Sequence, residues 1–283
     1  MKKVLMLICM LSTGSMCWAQ ATAPSLGTAA TFAVLGSSNV TCTGPGVISG
    51  DVGVSPGVFT NTAPPPCLVV GTVHQGDPAA NSALAALKTA YTNAIVANSS
   101  CTSSLADAYT GNVPALGPLP PGVYCNTSAA GLTFTATTLT LDAGGNANAV
   151  WVFKIDFGFT GTGFQVVMAG GGQPCNVFWL VGADSTLTTS TFQGNILAGG
   201  PTGSFTSTGG TLIGRVLANG AVTLTGPNVH GTCALAAQGG AGCKNDDDDR
   251  DKDKDHHDGD DDRDRDHHDG DKDHHDNDHR EHD

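Results

Sequence analysis

The sequence predicts a mainly β protein built from stacked coils, a β-solenoid, with one long α-helix beside it. Three observations lead there. Short runs rich in Val, Ile, Phe, Thr and Leu follow one another, separated by Gly, Pro and Asn, the pattern of short strands bounded by turns. One segment, and only one, has a sustained helical period. Two neighbouring stretches also repeat: Thr191-Phe-Gln-Gly-Asn-Ile-Leu-Ala aligns with Thr211-Leu-Ile-Gly-Arg-Val-Leu-Ala at a shift of 20 residues. Self-similarity at a fixed period marks stacked architectures.

The strand runs include ATFAVLG, TFTATTLTLDA, NAVWVFKID, FQVVMAGG, CNVFWLVG and AVTLTGPN. No second long helix interrupts them, which excludes a doubly wound α/β fold. The helix spans about residues 77–98. Asp77 suits its N-cap and Pro78 its first turn. Ala80, Ala83, Leu84, Leu87, Ala90, Tyr91, Ala94 and Ile95 then recur at three- and four-residue steps, an amphipathic stripe.

The repeat has a corner motif: Thr, then Gly, Ala or another small residue, then any residue, then Thr, Asn or a small residue. It reads Thr43-Gly-Pro-Gly46, Thr135-Ala-Thr-Thr138, Thr160-Gly-Thr-Gly163, Thr188-Thr-Ser-Thr191, Thr208-Gly-Gly-Thr211 and Thr225-Gly-Pro-Asn228. The last four start 28, 20 and 17 residues apart, so each coil has its own length. Six coils at about 4.8 Å make roughly 29 Å. A 20-residue helix is roughly 30 Å long and can lie along the solenoid axis over one apolar face.

Composition divides the 283 residues into three segments. Lys2, Lys3 and the apolar run VLMLICMLSTGSM open a secretory signal peptide. Residues 1–21 are assigned to it, with cleavage after Ala21 preferred over cleavage after Ala19. The run is too short to span a membrane, so the expectation is a secreted, extracellular protein without membrane insertion. Residues 244–283 carry 20 acidic and 8 basic side chains, a net −12 of the chain's −13. With no apolar residue to anchor a core, this Asp/His-rich tail is expected to be disordered. The domain between, residues 22–243, holds only six acids and three bases, where ordinary domains are about 25% charged. Its exterior must be coated with Thr, Ser, Asn and Gly.

Seven cysteines follow the leader: Cys42, Cys67, Cys101, Cys125, Cys175, Cys233 and Cys243. Disulfides are the default in an exported protein, and no CxxC pair supports a zinc or redox site. The expected pairs are Cys42–Cys67, Cys101–Cys125 and Cys175–Cys233, leaving Cys243 over.

The segments ATFAVLGSSNVTCTGPGVISGDVGVSPG, GNANAVWVFKI, CNVFWLVGADSTLTT and TFQGNILA…GRVLANGAVTL, taken in order, resemble the secreted microbial ice-binding proteins. The resemblance covers roughly residues 25–228 and leaves out the tail. It implies an irregular right-handed β-solenoid with one helix packed along its axis. It also implies adsorption to an ice surface through a flat face bearing Thr-Gly/Ala-x-Thr/Asn motifs. Carried over by position, the site residues are Thr135, Thr138, Thr160, Thr188, Thr191, Thr208, Thr211, Thr225 and Asn228. The chain departs from the motif at Gly46 and Gly163, which lack the second polar group, and at Thr189, where Gly or Ala is expected.

Threonine suits such a task. Parallel rungs place equivalent side chains about 4.8 Å apart, comparable to water spacings on ice planes. Each side chain offers a hydroxyl that donates and accepts beside a methyl, and β-branching restricts its rotamers. Charged groups would bind their own hydration shells and disorder the array. Many weak contacts engaging together would supply the affinity.

Other functions fit less well. Six scattered aspartates and three bases do not assemble a catalytic cleft, so no enzyme activity or cofactor is expected. Nucleic-acid binding needs a basic patch, which the sequence lacks. His74 and His230 are isolated and not read as metal ligands; Asp51 and Asp142 precede glycine-containing turns and read as turn formers. The tail's repeated DHHD suits weak divalent-cation binding but lacks an ordered calcium loop. A cell-surface adhesin or matrix protein with a cation-binding tail is the alternative function. A monomer is expected.

Overall fold

The computed structural model describes residues 21–62, 64–111, 116–201 and 203–231. The expected signal peptide apart from Ala21, the acidic tail, Cys233 and Cys243 therefore lie outside the described residues, and with them the expected Cys175–Cys233 pair.

The described residues form three parallel sheets, and each complete coil contributes one strand to each in turn. In spatial order, sheet A contains Val73–Gln75, Asp51–Val54, Phe32–Gly36, Val216–Ala218, Asn195–Ala198, Val177–Val181, Trp151–Ile155, Gly122–Asn126 and Ser103–Ser104. Sheet B contains Phe59–Thr60, Val40–Thr43, Val222–Thr225, Phe205–Thr208, Ser185–Thr188, Phe159–Thr162, Leu132–Thr135 and Ala108–Thr110. Sheet C contains Thr138–Asp142, Gln165–Ala169, Thr191–Gln193, Thr211–Ile213, Asn228–His230, Val47–Ser49 and Leu68–Val70. This is the expected solenoid.

Its stacking order is not the chain order. Phe32–Gly36 pairs on one side with Asp51–Val54 and on the other with Val216–Ala218. The first coils thus sit on the last coil, and chain continuity breaks at that seam. The strand Val73–Gln75 closes one end of sheet A, while Ser103–Ser104 closes the other. Between them runs the helix Pro78–Ala97. It must be long because it carries the chain past nearly the whole stack. Eight strand intervals span roughly 38 Å, and twenty helical residues cover roughly 30 Å.

The helix begins where the capping chemistry puts it. An Asp77 carboxylate oxygen accepts from the Ala80 amide at 2.8 Å, and the other oxygen meets Nδ1 of His74 at 2.7 Å. At the far end the Asn98 amide donates to the Ala94 carbonyl. Ala80, Ala83, Leu84, Leu87, Ala90 and Ala94 are buried, as the stripe requires. Tyr91 and Ile95 are half-buried beside them. The four alanines let the helix lie close to sheet A.

Between its polar end strands, sheet A is covered on both faces, and its strands from Phe32–Gly36 to Gly122–Asn126 are accordingly buried and largely apolar, as parallel strands buried on both sides must be. Within WVFKI and VFWLV, Trp151, Phe153, Val177, Trp179 and Val181 enter the solenoid lumen. Val152, Phe178 and Leu180 join Leu35, Leu197 and Leu217 in a second core that includes the buried face of the helix. In the lumen, register stacks Tyr124, Phe153 and Trp179 in successive coils, with the Phe153 and Trp179 rings 3.9 Å apart. Disulfides join Cys42 to Cys67 and Cys101 to Cys125, both as expected.

Candidate functional site

The candidate face is built by sheet B. Its strands read AYT, LTFT, FTGT, STLT, FTST, VTLT, VTCT and FT. Alternate residues in a strand face opposite sides, so each Thr-x-Thr sends two threonines outward and the residue between them into the lumen. Leu132, Phe134, Phe159, Leu187, Phe205, Val222, Leu224, Val40 and Cys42 are buried. The threonines are exposed or half-exposed.

Because the strands pair in register, the outward threonines stack into two ranks. The first runs Thr133, Thr160, Thr186, Thr206, Thr223, Thr41, Thr60. The second runs Thr110, Thr135, Thr162, Thr188, Thr208, Thr225, Thr43. Neither rank is interrupted, even across the seam, where the Thr43 and Thr225 hydroxyls lie 3.2 Å apart. Neighbours within a rank are about 4.8 Å apart, and the ranks are separated by a two-residue step of about 6.6 Å. No strand of sheet B contains Asp, Glu, Lys or Arg.

A corner follows the second rank, and it explains the motif. The residue after the threonine has positive φ in every coil: Gly111, Ala136, Gly163, Thr189, Gly209, Gly226 and Gly44. Its amide donates to the carbonyl of the rank threonine in the next coil, as from Gly163 to Thr188 at 2.9 Å and from Gly209 to Thr225 at 2.7 Å. Glycine is favoured here by conformation and not by space, since a Cβ at Gly163 or Gly209 would meet nothing closer than 3.7 Å. The third motif residue turns inward; Thr137, Phe164 and Ser190 are buried. The fourth begins sheet C, where Thr138, Gln165, Thr191, Thr211, Asn228 and Val47 form a mixed outer row.

The nine sequence-predicted residues all point outward but do not share one face. Thr135, Thr188, Thr208 and Thr225 stand in the second rank of sheet B, and Thr160 stands in the first. Thr138, Thr191, Thr211 and Asn228 lie beyond the corner on sheet C. The reading of Thr160-Gly-Thr-Gly163 as a corner was displaced by two residues. The corner of that coil is Thr162-Gly-Phe-Gln165, because Thr162 pairs with Thr135 and Thr188. At Thr43-Gly-Pro-Gly46 the turn has one extra residue, so Val47 takes the place opposite Asn228. Sequence reasoning missed Thr133, Thr186, Thr206, Thr223, Thr41, Thr60, Thr110, Thr162 and, as a site residue, Thr43. The signal that finds them is the two-residue alternation of Thr in the strand preceding each corner.

The other polar candidates have local duties. Asp142 accepts from the Gly144 amide two residues on, at 2.9 Å, as a turn former does. Asp51 instead opens a strand of sheet A and accepts from the Thr72 amide of the neighbouring coil, also at 2.9 Å, so it ties two coils together and does not form a turn. His74 supports the helix cap. The Ala80 amide, followed by His74, holds the Asp77 carboxyl below its ordinary range. Among the described residues no three His, Cys, Asp or Glu side chains group as metal ligands, and no helix is long and apolar enough to cross a membrane.

Against known proteins, residues 34–230 match the model of the family described as ice-binding-like. The chain belongs to that family. Its relatives include the ice-binding protein of Nostoc sp. (strain HG1), 40% identical over 219 residues, covering 75% of this chain and 76% of that one. Another is the ice-binding protein of Flavobacterium frigoris (strain PS1), 30% identical over 213 residues, covering 71% and 73%. The crystal structure of the ice-binding protein from the Antarctic ascomycete Antarctomyces psychrotrophicus superposes with a TM-score of 0.64. It is 32% identical and covers 74% of this chain and 98% of that one. All fourteen threonines of the two ranks, from Thr41 to Thr225, fall inside the matched region.

Proposed function

We propose that this member of the ice-binding-like family adsorbs to ice through the outer face of sheet B, slowing crystal growth and recrystallisation. One observation carries the reading: fourteen threonines stand in two unbroken, in-register ranks on a sheet whose strands lack charge. Each threonine offers a methyl that leaves water little choice of orientation and a hydroxyl that joins the water's hydrogen bonds. Parallel strands hold the array stiff, so ordering water over it costs little further protein entropy. A growing ice front presents its pattern repeatedly, and many weak contacts then act as one. The sheet C residues Thr138, Thr191, Thr211 and Asn228 flank this face across the corner and contribute less. The relatives' names support ice, and nothing in them favours the adhesin reading or an enzyme.

The solenoid is right-handed by the rule for parallel crossovers. The protein is secreted as a monomer, with the acidic tail binding divalent cations weakly. Ala21 is buried, and Thr22 exchanges two hydrogen bonds with Asn98, at 2.8 and 3.0 Å. This packing supports signal cleavage after Ala19, not Ala21.

The test is thermal hysteresis and ice-crystal shaping by the secreted chain, alone and as Thr206→Tyr. Thr206 is exposed in the middle of the first rank, so a tyrosine there stands above the face and holds several coils off the ice. Hysteresis should fall at least several-fold with an unchanged melting temperature. Thr140→Tyr, on sheet C, should keep most activity. A chain ending at residue 243 should shape ice as the full chain does, and calorimetry with zinc should give heat only when the tail is present. Full activity of Thr206→Tyr would place the ice contact elsewhere.

A further inference from the structure

The register of sheet B also specifies a lattice, and we infer from it that the face selects the primary prism plane of ice. This rests on the ice-adsorption reading above. Strands paired directly opposite one another, such as Thr160 with Thr186 and Thr162 with Thr188, stack their threonines without stagger. The net is therefore rectangular, about 4.8 Å along the solenoid axis and about 6.6 Å along the strands.

Hexagonal ice offers a matching rectangular net on its primary prism face. The short repeat there, along an a axis, is slightly less than the strand spacing. The long repeat, along c, is slightly more than the two-residue step. The basal face has the same short repeat, but its unstaggered perpendicular repeat is longer than c and farther from the protein's. Pyramidal faces are oblique to c and offer neither pair together. With two ranks, the mismatch across the strands occurs once and is absorbed by threonine rotamers and by the water between protein and ice. The mismatch along the axis grows from the centre outward, so the middle coils, around Thr186 and Thr206, set the fit. The solenoid axis then lies along an a axis and the strands along c.

The consequence is directional. Adsorption on prism faces arrests growth perpendicular to c and leaves the basal faces to advance.

The experiment uses the full secreted chain labelled on lysine. The described lysines, Lys88 on the helix and Lys154 in sheet A, both lie away from sheet B. A single-crystal ice hemisphere is grown in dilute labelled protein, and the fluorescent patches are indexed. Six patches centred on the primary prism orientation are expected, with the crystal bursting along c when hysteresis is exceeded. Patches that omit this orientation, or a uniform coating of every plane, overturn the plane assignment while leaving ice adsorption standing. No fluorescence in the ice from a folded protein overturns both. Labelled Thr206→Tyr, with its fold checked by circular dichroism, should leave the prism patches dark; undiminished patches would remove sheet B as their source.

Discussion

Thr189 is the clearest place to test why the corners carry glycine. It has φ +46° where its equivalents are glycine or alanine, and a β-branched residue in the left-handed region is strained. The left-handed conformation costs an ordinary residue about 1–2 kcal/mol. Glycine escapes that cost but loses roughly 0.5–1 kcal/mol through the greater freedom of its unfolded chain. The Thr189 side chain is exposed, so removing it forfeits little packing. Thr189→Gly should therefore stabilise the protein by about 0.5–1 kcal/mol. At about 2–4 °C per kcal/mol for a domain of this size, the melting temperature should rise by about 1–4 °C. The reverse change one coil along, Gly209→Thr, starts from φ +63° with the nearest neighbour of a new Cβ 3.8 Å away. It should lower the melting temperature by a similar amount. Scanning calorimetry with disulfides intact measures both. Neither should change ice shaping, because the corner lies outside both ranks. If Thr189→Gly melted below the parent, or Gly209→Thr were free of cost, backbone conformation would not be the reason for the motif's glycine.

Two further outcomes follow from the stack. The Asp77 carboxyl has a lowered pKa in the folded state, so its contribution to stability is present above the unfolded value near 3.8 and fades as pH falls through and below it. In Asp77→Ala the acid-side decline in melting temperature should be shallower, and the melting temperature at neutral pH lower; identical pH profiles would show that the cap is idle. The Cys42–Cys67 bridge closes a loop with a sequence separation of 25, worth about 3 kcal/mol by loop closure. The double alanine variant should melt roughly 6–12 °C lower, and a change within 2 °C would mean that the strand pairing alone holds that end.

What was legible in the sequence was what local chemistry encodes. The helix declared itself through Asp77, Pro78 and its alanine–leucine stripe. Sheet A declared itself through strands such as VFWLV, apolar throughout because both faces are covered. The corners were visible because a left-handed residue recurs there. The ranks were harder to see because their inward partners vary: Phe134, Gly161, Leu187, Ser207, Leu224 and Cys42 occupy equivalent positions. FTST, with Ser207 facing inward, looks polar on both sides, and FTGT offers a glycine where a large residue is expected. The four-residue corner motif therefore spans two sheets, its first residue on sheet B and its fourth on sheet C. The seam left no local trace, since Thr43 and Thr225 are 182 residues apart and no period connects them.

That seam is the structural condition for the array. Six strands of sheet B follow one another in sequence up to Val222–Thr225, and the ranks continue onto Thr41, Thr43 and Thr60 only because Val40–Thr43 pairs with that strand. Without that pairing the first rank divides into five and two threonines, and the second into six and one. Gly231 seals the junction: its amide donates to Ser49 at 2.8 Å, and a Cβ there would fall 2.3 Å from that of Ala33. Gly231→Ala must push the two blocks apart or distort both, an overpacking cost of about 1–3 kcal/mol. The expected result is a melting temperature about 2–12 °C lower, faster amide exchange at Thr41 and Thr43, and hysteresis reduced in step. This differs from Thr206→Tyr, which spoils the face and spares the fold. A Gly231→Ala protein that melts and exchanges like the parent would mean that the junction is loose, and a loose junction cannot keep the seven threonines of each rank in one lattice.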